Sequence, residues 1–208
     1  MPKVTEEHRA ARRRQIAEAA LRCFARSGFQ QTSMADIIAE SGLSAGAIYG
    51  HYKSKEELVE LAVTEVLDAR FLDLAQARTR DPQPSPAELV ALLVHGLRDQ
   101  IGDLQLLLQV WGQVPINPAL SRLTTSIGGR IRTMFADYLT EWYHRHRGMD
   151  EAAARAAGDA DASLYVGLVQ GYVVQTVLFA DFDGDAYLAA VARMEPRAGE
   201  ARAAARPA

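Results

Sequence analysis

The sequence predicts an all-α protein, and three observations carry that reading. Apolar residues recur at helical spacing along most of the chain, as at Ile16, Ala20, Cys23 and Phe24. Cap residues and glycine stops alternate in the first quarter, at Ser33 and Gly42, then Ser44 and Ser54. No segment alternates apolar and polar residues over strand length, and no repeat of fixed period is present.

The elements follow in order. A first amphipathic helix is expected from about Glu6 to Ser27, stopped by Gly28. Ser33 caps a second helix, with Asp36 as an acidic stand-in for the capping-box glutamate, and Gly42 ends it. Ser44 opens a short third helix, SAGAIYGHY, containing Ile48 and Tyr52. Ser54 caps a fourth, from about Lys55 to Ala77, with Glu56 and Glu57 where the helix dipole favours acids. The proline-rich TRDPQPSPA (79–87) is a connector. Helices are expected at roughly 87–101, 103–113, 118–147, 151–180 and 185–194. The tail EPRAGEARAAARPA has almost no apolar side chain larger than alanine, so disorder is expected there. Domain boundaries are expected at 1–55, 56–195 and 196–208.

Composition narrows the class. With 49% apolar and 24% charged residues, a packed core is attainable and global disorder is excluded. The lone Cys23 forms no intrachain disulfide or cysteine-based zinc site, which fits a reducing, cytoplasmic setting. The N-terminal stretch lacks the apolar core of a secretory signal. The apolar run LYVGLVQGYVVQTVLFA (164–180) carries Gln170, Gln175 and Thr176, so burial or an oligomer interface is expected, with no membrane. No cofactor is expected. No metal site is expected either, because His144 and His146, two residues apart, point to different sides of a helix.

Charge is unevenly distributed. The chain carries net −3, yet residues 1–55 hold nine Lys/Arg against five Asp/Glu. A basic head on an acidic body suits a head that meets a polyanion. Two short capped helices separated by SGLS form a helix-turn-helix, a unit that lays its second helix in the DNA major groove. Lys53 and Lys55 stand where the fourth helix begins, so they and its amides could share a phosphate. Arg12, Arg13 and Arg14 could reach another backbone segment. The plain alternative for these features is a solvated helical hairpin.

The stretch GFQQTSMADIIAESGLSAGAIYGHYKSKEELV (28–59) resembles the N-terminal domain of the TetR family of bacterial transcriptional regulators. The match runs through Gly28-Phe29, Thr32-Ser33, Asp36-Ile37-Ile38-Ala39, Gly42-Leu43-Ser44, Gly46, Tyr49-x-His51-Tyr52 and Lys55-Glu56-Glu57-Leu58. The resemblance implies a homodimer whose heads bind a palindromic double-stranded DNA operator. It also implies a helical C-terminal domain that dimerises and binds a small-molecule effector, most often to relieve repression. Carried over by position, Thr32, Ser33, Ser44, Tyr49, His51, Lys53 and Lys55 are the implied DNA contacts. Ala45, Ala47 and Gly50 depart from the larger residues frequent in the family, which leaves few side chains for bidentate base contacts. Ala45 then serves as a thymine-methyl contact, and modest specificity with steep salt dependence is expected.

For the effector, the expected lining is His95, Gln109, Trp111, Gln113, Met134, Tyr138, Trp142 and Tyr165, beside a kink at Gly128-Gly129. The absence of a dense charged cluster favours an apolar or amphipathic ligand; the same aromatics would also serve as plain core. For the dimer interface, Leu164, Leu168, Gly171, Gln175 and Leu178 form one stripe, while Tyr165, Val169, Tyr172 and Phe179 form another. One stripe should face the body and the other a partner. Gly42-Leu43-Ser44-Ala45-Gly46 is a literal G-x-S-x-G, but a nucleophile elbow needs a preceding strand, so no enzyme is expected. The other class kept open is a helical ligand-binding or adaptor protein whose head no longer binds DNA.

Overall fold

The computed structural model describes residues 6–194; the expected tail disorder at 196–208 lies outside them. Among the described residues, the elements are α1 (Glu6–Gln31), α2 (Met34–Ser41), α3 (Ala45–Tyr49), α4 (Lys55–Arg78), α5 (Pro86–Ile101), α6 (Gln105–Gln113), α7 (Pro118–Arg147), α8 (Glu151–Leu178) and α9 (Gly184–Met194), with no strand. They fall into two compact units. One holds the residues up to Arg70 with Leu97–Thr124, and the other Phe71–Gly96 with those from Thr125 onward. Helices α4, α5 and α7 therefore contribute to both.

In the first unit, α1 presents Ile16, Ala20, Cys23 and Phe24 to a core shared with Ile37 of α2, Ile48 of α3, Leu58 of α4, Leu106 of α6 and Leu120 of α7. Each such isoleucine or phenylalanine contributes about 1.5–3 kcal/mol on burial. That packing holds α3, which at five residues is too short to persist alone. The helix ends are set by side chains. Gly28, at φ 76° and ψ 162°, breaks the α1 segment where a stop is expected. Ser33 and Asp36 form the expected capping box on α2, and Gly42, left-handed at φ 68°, returns its N–H to the Ala39 carbonyl. Tyr52, expected within the third helix, lies beyond its end at Tyr49; Gly50 and His51 form the turn after it.

In the second unit, Ser85 and Glu88 form a reciprocal cap on α5, and Pro86 occupies its first position, where a missing N–H costs nothing. Helices α7 and α8 approach so closely at Gly158 that a Cβ there would lie 2.7 Å from the Ala136 carbonyl oxygen. Phe135, Tyr138, Leu139, Tyr172 and Val173 are large buried groups there, with Leu89, Val90 and Val94 of α5. The Tyr187 hydroxyl ties α9 to the Leu168 carbonyl at 2.9 Å. Among the described residues, no helix is long and apolar enough to cross a membrane.

Candidate nucleic-acid interface

Helices α2 and α3, joined by Gly42-Leu43-Ser44, present one exposed surface. The Ser44 hydroxyl accepts from the Ala47 N–H at 3.2 Å and so caps α3. Ile48 is fully buried and orients the helix, which leaves Ala45, Gly46, Ala47 and Tyr49 outward; Tyr49 is 48% exposed. His51 and Lys53 follow, both exposed. Ser33 opens α2 on the surface, its hydroxyl donating to Asp36 Oδ2 at 2.7 Å and holding that carboxyl below the usual carboxylate range.

Two of the expected contacts have other work. Thr32 is 2% exposed, and its hydroxyl donates to the carbonyls of Gly28 (2.8 Å) and Cys23 (3.2 Å), where it closes the end of α1. The Lys55 ammonium donates to the carbonyls of Phe29 (2.7 Å) and Gln30 (3.2 Å) and lies 4.4 Å from the centre of the Phe29 ring. Carbonyls at a helix C-terminus lack intrahelical donors and interact favourably with a cation. Lys55 therefore fastens α1 to α4 with two of its three ammonium N–H groups. The Lys53 N–H is also engaged, by Glu57 Oε2 at 2.7 Å, whereas the Lys53 side chain extends into solvent.

The head's cations divide in the same way. Arg22 and Arg26 both bind Glu40, at 2.8 and 3.1 Å, and these two hydrogen bonds hold the Glu40 carboxyl below its ordinary range. Arg12 bonds Gln15, while Arg13 lines a groove with His51, Tyr52, Glu57 and Glu60. Composition counts Arg22 and Arg26 toward the positive head, but the fold pairs them. Burial pushes the Cys23 thiol upward, consistent with an inert core cysteine. Ser44 of the G-x-S-x-G segment follows helix α2, not a strand, and its oxygen accepts the cap bond from Ala47.

The residues expected to line one pocket are drawn from both units. Gln109, Trp111 and Gln113 belong to the first unit, while His95, Met134, Tyr138, Trp142 and Tyr165 belong to the second. Gln109 accepts the Phe29 N–H at 3.0 Å, and Gln113 accepts from the Gln30 amide, so both hold the end of α1. Tyr138 is core, its hydroxyl donating to the Pro84 carbonyl at 2.6 Å; Tyr165 stacks on Phe135 and Trp142 on His146; His95 is exposed. Only Met134 lines the groove of about 720 Å³ in this unit, with Phe71, Leu74, Gly129, Arg130 and Thr133. Helix α7 continues through Gly128-Gly129. Phe71 and Arg130 were not singled out in the sequence because nothing in their spacing marks them.

On α8, Leu164 and Leu178 are 53% and 60% exposed, and Leu168, Gly171 and Gln175 are half-buried. In the other stripe, Tyr165 and Tyr172 face the core and Phe179 is exposed.

Comparison with known proteins follows the same lines. The family profile described as bacterial regulatory proteins, tetR family, matches residues 16–62. An uncharacterized HTH-type transcriptional regulator of Bacillus subtilis, YfiR, is 39% identical over 100 residues, covering 47% of this chain and 48% of that protein. The HTH-type transcriptional repressor Rv1474c of Mycobacterium tuberculosis is 47% identical over 58 residues, covering 28% and 31%. The chain thus spans less than half the length of either relative. Over the whole fold, a structure from Saccharomonospora viridis, described as a transcriptional regulator in complex with choline, superposes with a TM-score of 0.65 at 23% identity, covering 89% and 95% of the two chains. By the match over residues 16–62, the helix-turn-helix geometry and the shared fold, this chain carries the N-terminal domain of the TetR family of bacterial regulatory proteins.

Proposed function

We propose that this protein is a ligand-responsive transcriptional regulator, a repressor in its usual sign, that binds a palindromic operator as a homodimer. The observation that carries the reading is the outward face of α3, with Ser44, Ala45, Tyr49 and His51 exposed beside Lys53 and held by the buried Ile48. Such a face fits a major groove, and its shortage of amide and guanidinium groups favours methyl and shape readout over bidentate bonds. The exposed Leu164, Leu178 and Phe179 support pairing through α8.

The effector is a small apolar or amphipathic molecule. Phe71, Leu74 and Met134 would meet its body, and Thr125, Ser126 and Thr133 its polar end, in the groove on α4 and α7. Both helices run on into the first unit, where Lys55 of α4 and the two glutamines of α6 hold Phe29 and Gln30. Binding that favours one arrangement of these helices would shift the population of DNA-competent heads. The test is selection from a pool of random duplexes. The expected result is one enriched palindrome, bound by two chains, with Tyr49→Ala weakening it roughly tenfold or more. A pool that stays random overturns the reading.

One observation favours the adaptor reading: Thr32 and Lys55 are engaged within the head. That reading expects no enriched duplex.

A further inference from the structure

The connector 79–85 joins α4 to α5, and a single side chain seats it. Thr79, Arg80, Asp81 and Pro82 are exposed, Pro84 and Ser85 are half-buried, and only Gln83 is buried, at 7% exposure. Yet Nε2 and Oε1 of the Gln83 amide both lie buried without a hydrogen-bond partner. Part of the reason is local. The neighbours Pro82 and Pro84 have no N–H to offer the oxygen, and the Ser85 N–H donates to Glu88 Oε2 at 2.7 Å. An amide that leaves water without finding a partner opposes the burial that holds it.

Tethers hold the connector at its two ends. At its start, Arg78 Nε donates to Glu141 Oε2 at 2.6 Å, and Arg145, paired with Glu141 at 2.5 Å, donates to the Arg78 carbonyl at 3.4 Å. Toward its other end, the Tyr138 hydroxyl donates to the Pro84 carbonyl at 2.6 Å. Residues 138, 141 and 145 share one face of α7, so the connector is laid along that helix. It lies at one end of the groove between α4 and α7: Arg78 and Asp137 line that groove, and Tyr138 is the next residue.

We propose that the connector is a strap poised to lift from α7, and that its lifting opens this end of the groove to the effector. Two groups set the balance. Lifting returns the Gln83 amide to water, whereas it takes the Pro84 carbonyl away from Tyr138. The strap is thereby the low-stability segment of a unit whose long helices are otherwise packed by bulk. A ligand seated at the groove's end binds the lifted form better and shifts the population toward it. The link to the effector rests on the groove reading above; the lifting itself does not.

The test is trypsin cleavage after Arg80 in the full chain, read by mass spectrometry, with thermal unfolding alongside. Cleavage follows the lifted population when lifting is fast relative to cutting. Gln83→Met keeps the bulk and removes the amide, so it should raise the unfolding temperature and slow cleavage roughly fivefold or more. Tyr138→Phe should speed cleavage. A lower unfolding temperature or unchanged cleavage in Gln83→Met overturns the strap, as does cleavage of Tyr138→Phe no faster than wild type. The groove is probed with anilinonaphthalene sulfonate, an amphipathic dye, with trypsin's rate on a free peptide as the control. Dye should speed cleavage of wild type but not of Met134→Glu, which puts a charge into the groove. A dye that Met134→Glu no longer binds, yet that leaves wild-type cleavage unchanged, overturns the link to the effector. A dye bound equally by wild type and Met134→Glu removes the groove reading and that link together, an outcome distinct from failure of the strap.

Discussion

The two units hold their helices in different ways. In the first, helix ends are pinned by named polar groups: Ser33 with Asp36 on α2, Ser44 on α3, and Thr32, Lys55, Gln109 and Gln113 at the end of α1. In the second, long helices pack by aromatic and aliphatic bulk, with Tyr172, Phe182 and Tyr187 in mutual edge contact at 5.4–5.7 Å. For α2 and α3 the dependence follows from length. A helix of five or eight residues gains too little from its own hydrogen bonds and depends on caps and on a few buried anchors, whereas one of 28 or 30 tolerates many surface sequences.

The contrast breaks first at the anchors. Ile48→Ala removes the one buried side chain of α3 and should cost about 2–5 kcal/mol, with loss of DNA binding, as read by urea unfolding and titration. Smaller effects sharpen it. Ser33→Ala, which removes the hydroxyl's part of the α2 cap and keeps the Ser33 N–H bond to Asp36, should cost about 0.5–2 kcal/mol in the same unfolding assay. In the second unit, Tyr138→Phe removes the bond to Pro84 and should cost about 1 kcal/mol; a cost well above that of Ser33→Ala would reverse the comparison.

Acid provides a gentler probe. The Asp36 and Glu40 carboxyls are held below their ordinary range by Ser33 and by Arg22 and Arg26. A lowered folded pKa stabilises the fold at neutral pH, and that contribution fades as pH falls from the ordinary carboxylate range through the lowered value. Glu40→Gln should therefore flatten the acid limb of a stability–pH profile, with its smallest difference from wild type at the acid end. Equal differences at every pH would show that the Glu40 charge plays no part.

These pinned ends also explain what the sequence discloses. Gly28, the Ser33–Asp36 box, Gly42 and Ser44 were legible because each is a short-range device between residues at most four positions apart. The partners of Lys55 lie 25 and 26 positions away and those of Gln109 and Gln113 lie 80 and 83 away, so spacing gave no sign that this lysine and these two glutamines also fasten α1. Residue type announced their hydrogen-bonding capacity and not their partner. Thr32 likewise sat at a contact position by sequence, and only packing shows its hydroxyl turned inward. The α8 periodicity gave two stripes; which of them faces the core emerges from the burial of Tyr165 and Tyr172.

The account's central claim is that the head keeps some cations for its own fold and leaves others for DNA phosphates. The direct test is a salt series of binding to the enriched duplex for wild type, Lys53→Met and Lys55→Met, with thermal unfolding alongside. The account predicts that Lys53→Met leaves the unfolding temperature in place and makes the slope of log affinity against log salt shallower by about one. It predicts that Lys55→Met lowers the unfolding temperature, because the Phe29 and Gln30 carbonyls lose their donor. A Lys53→Met slope and affinity indistinguishable from wild type, with Lys55→Met as stable as wild type, would contradict it.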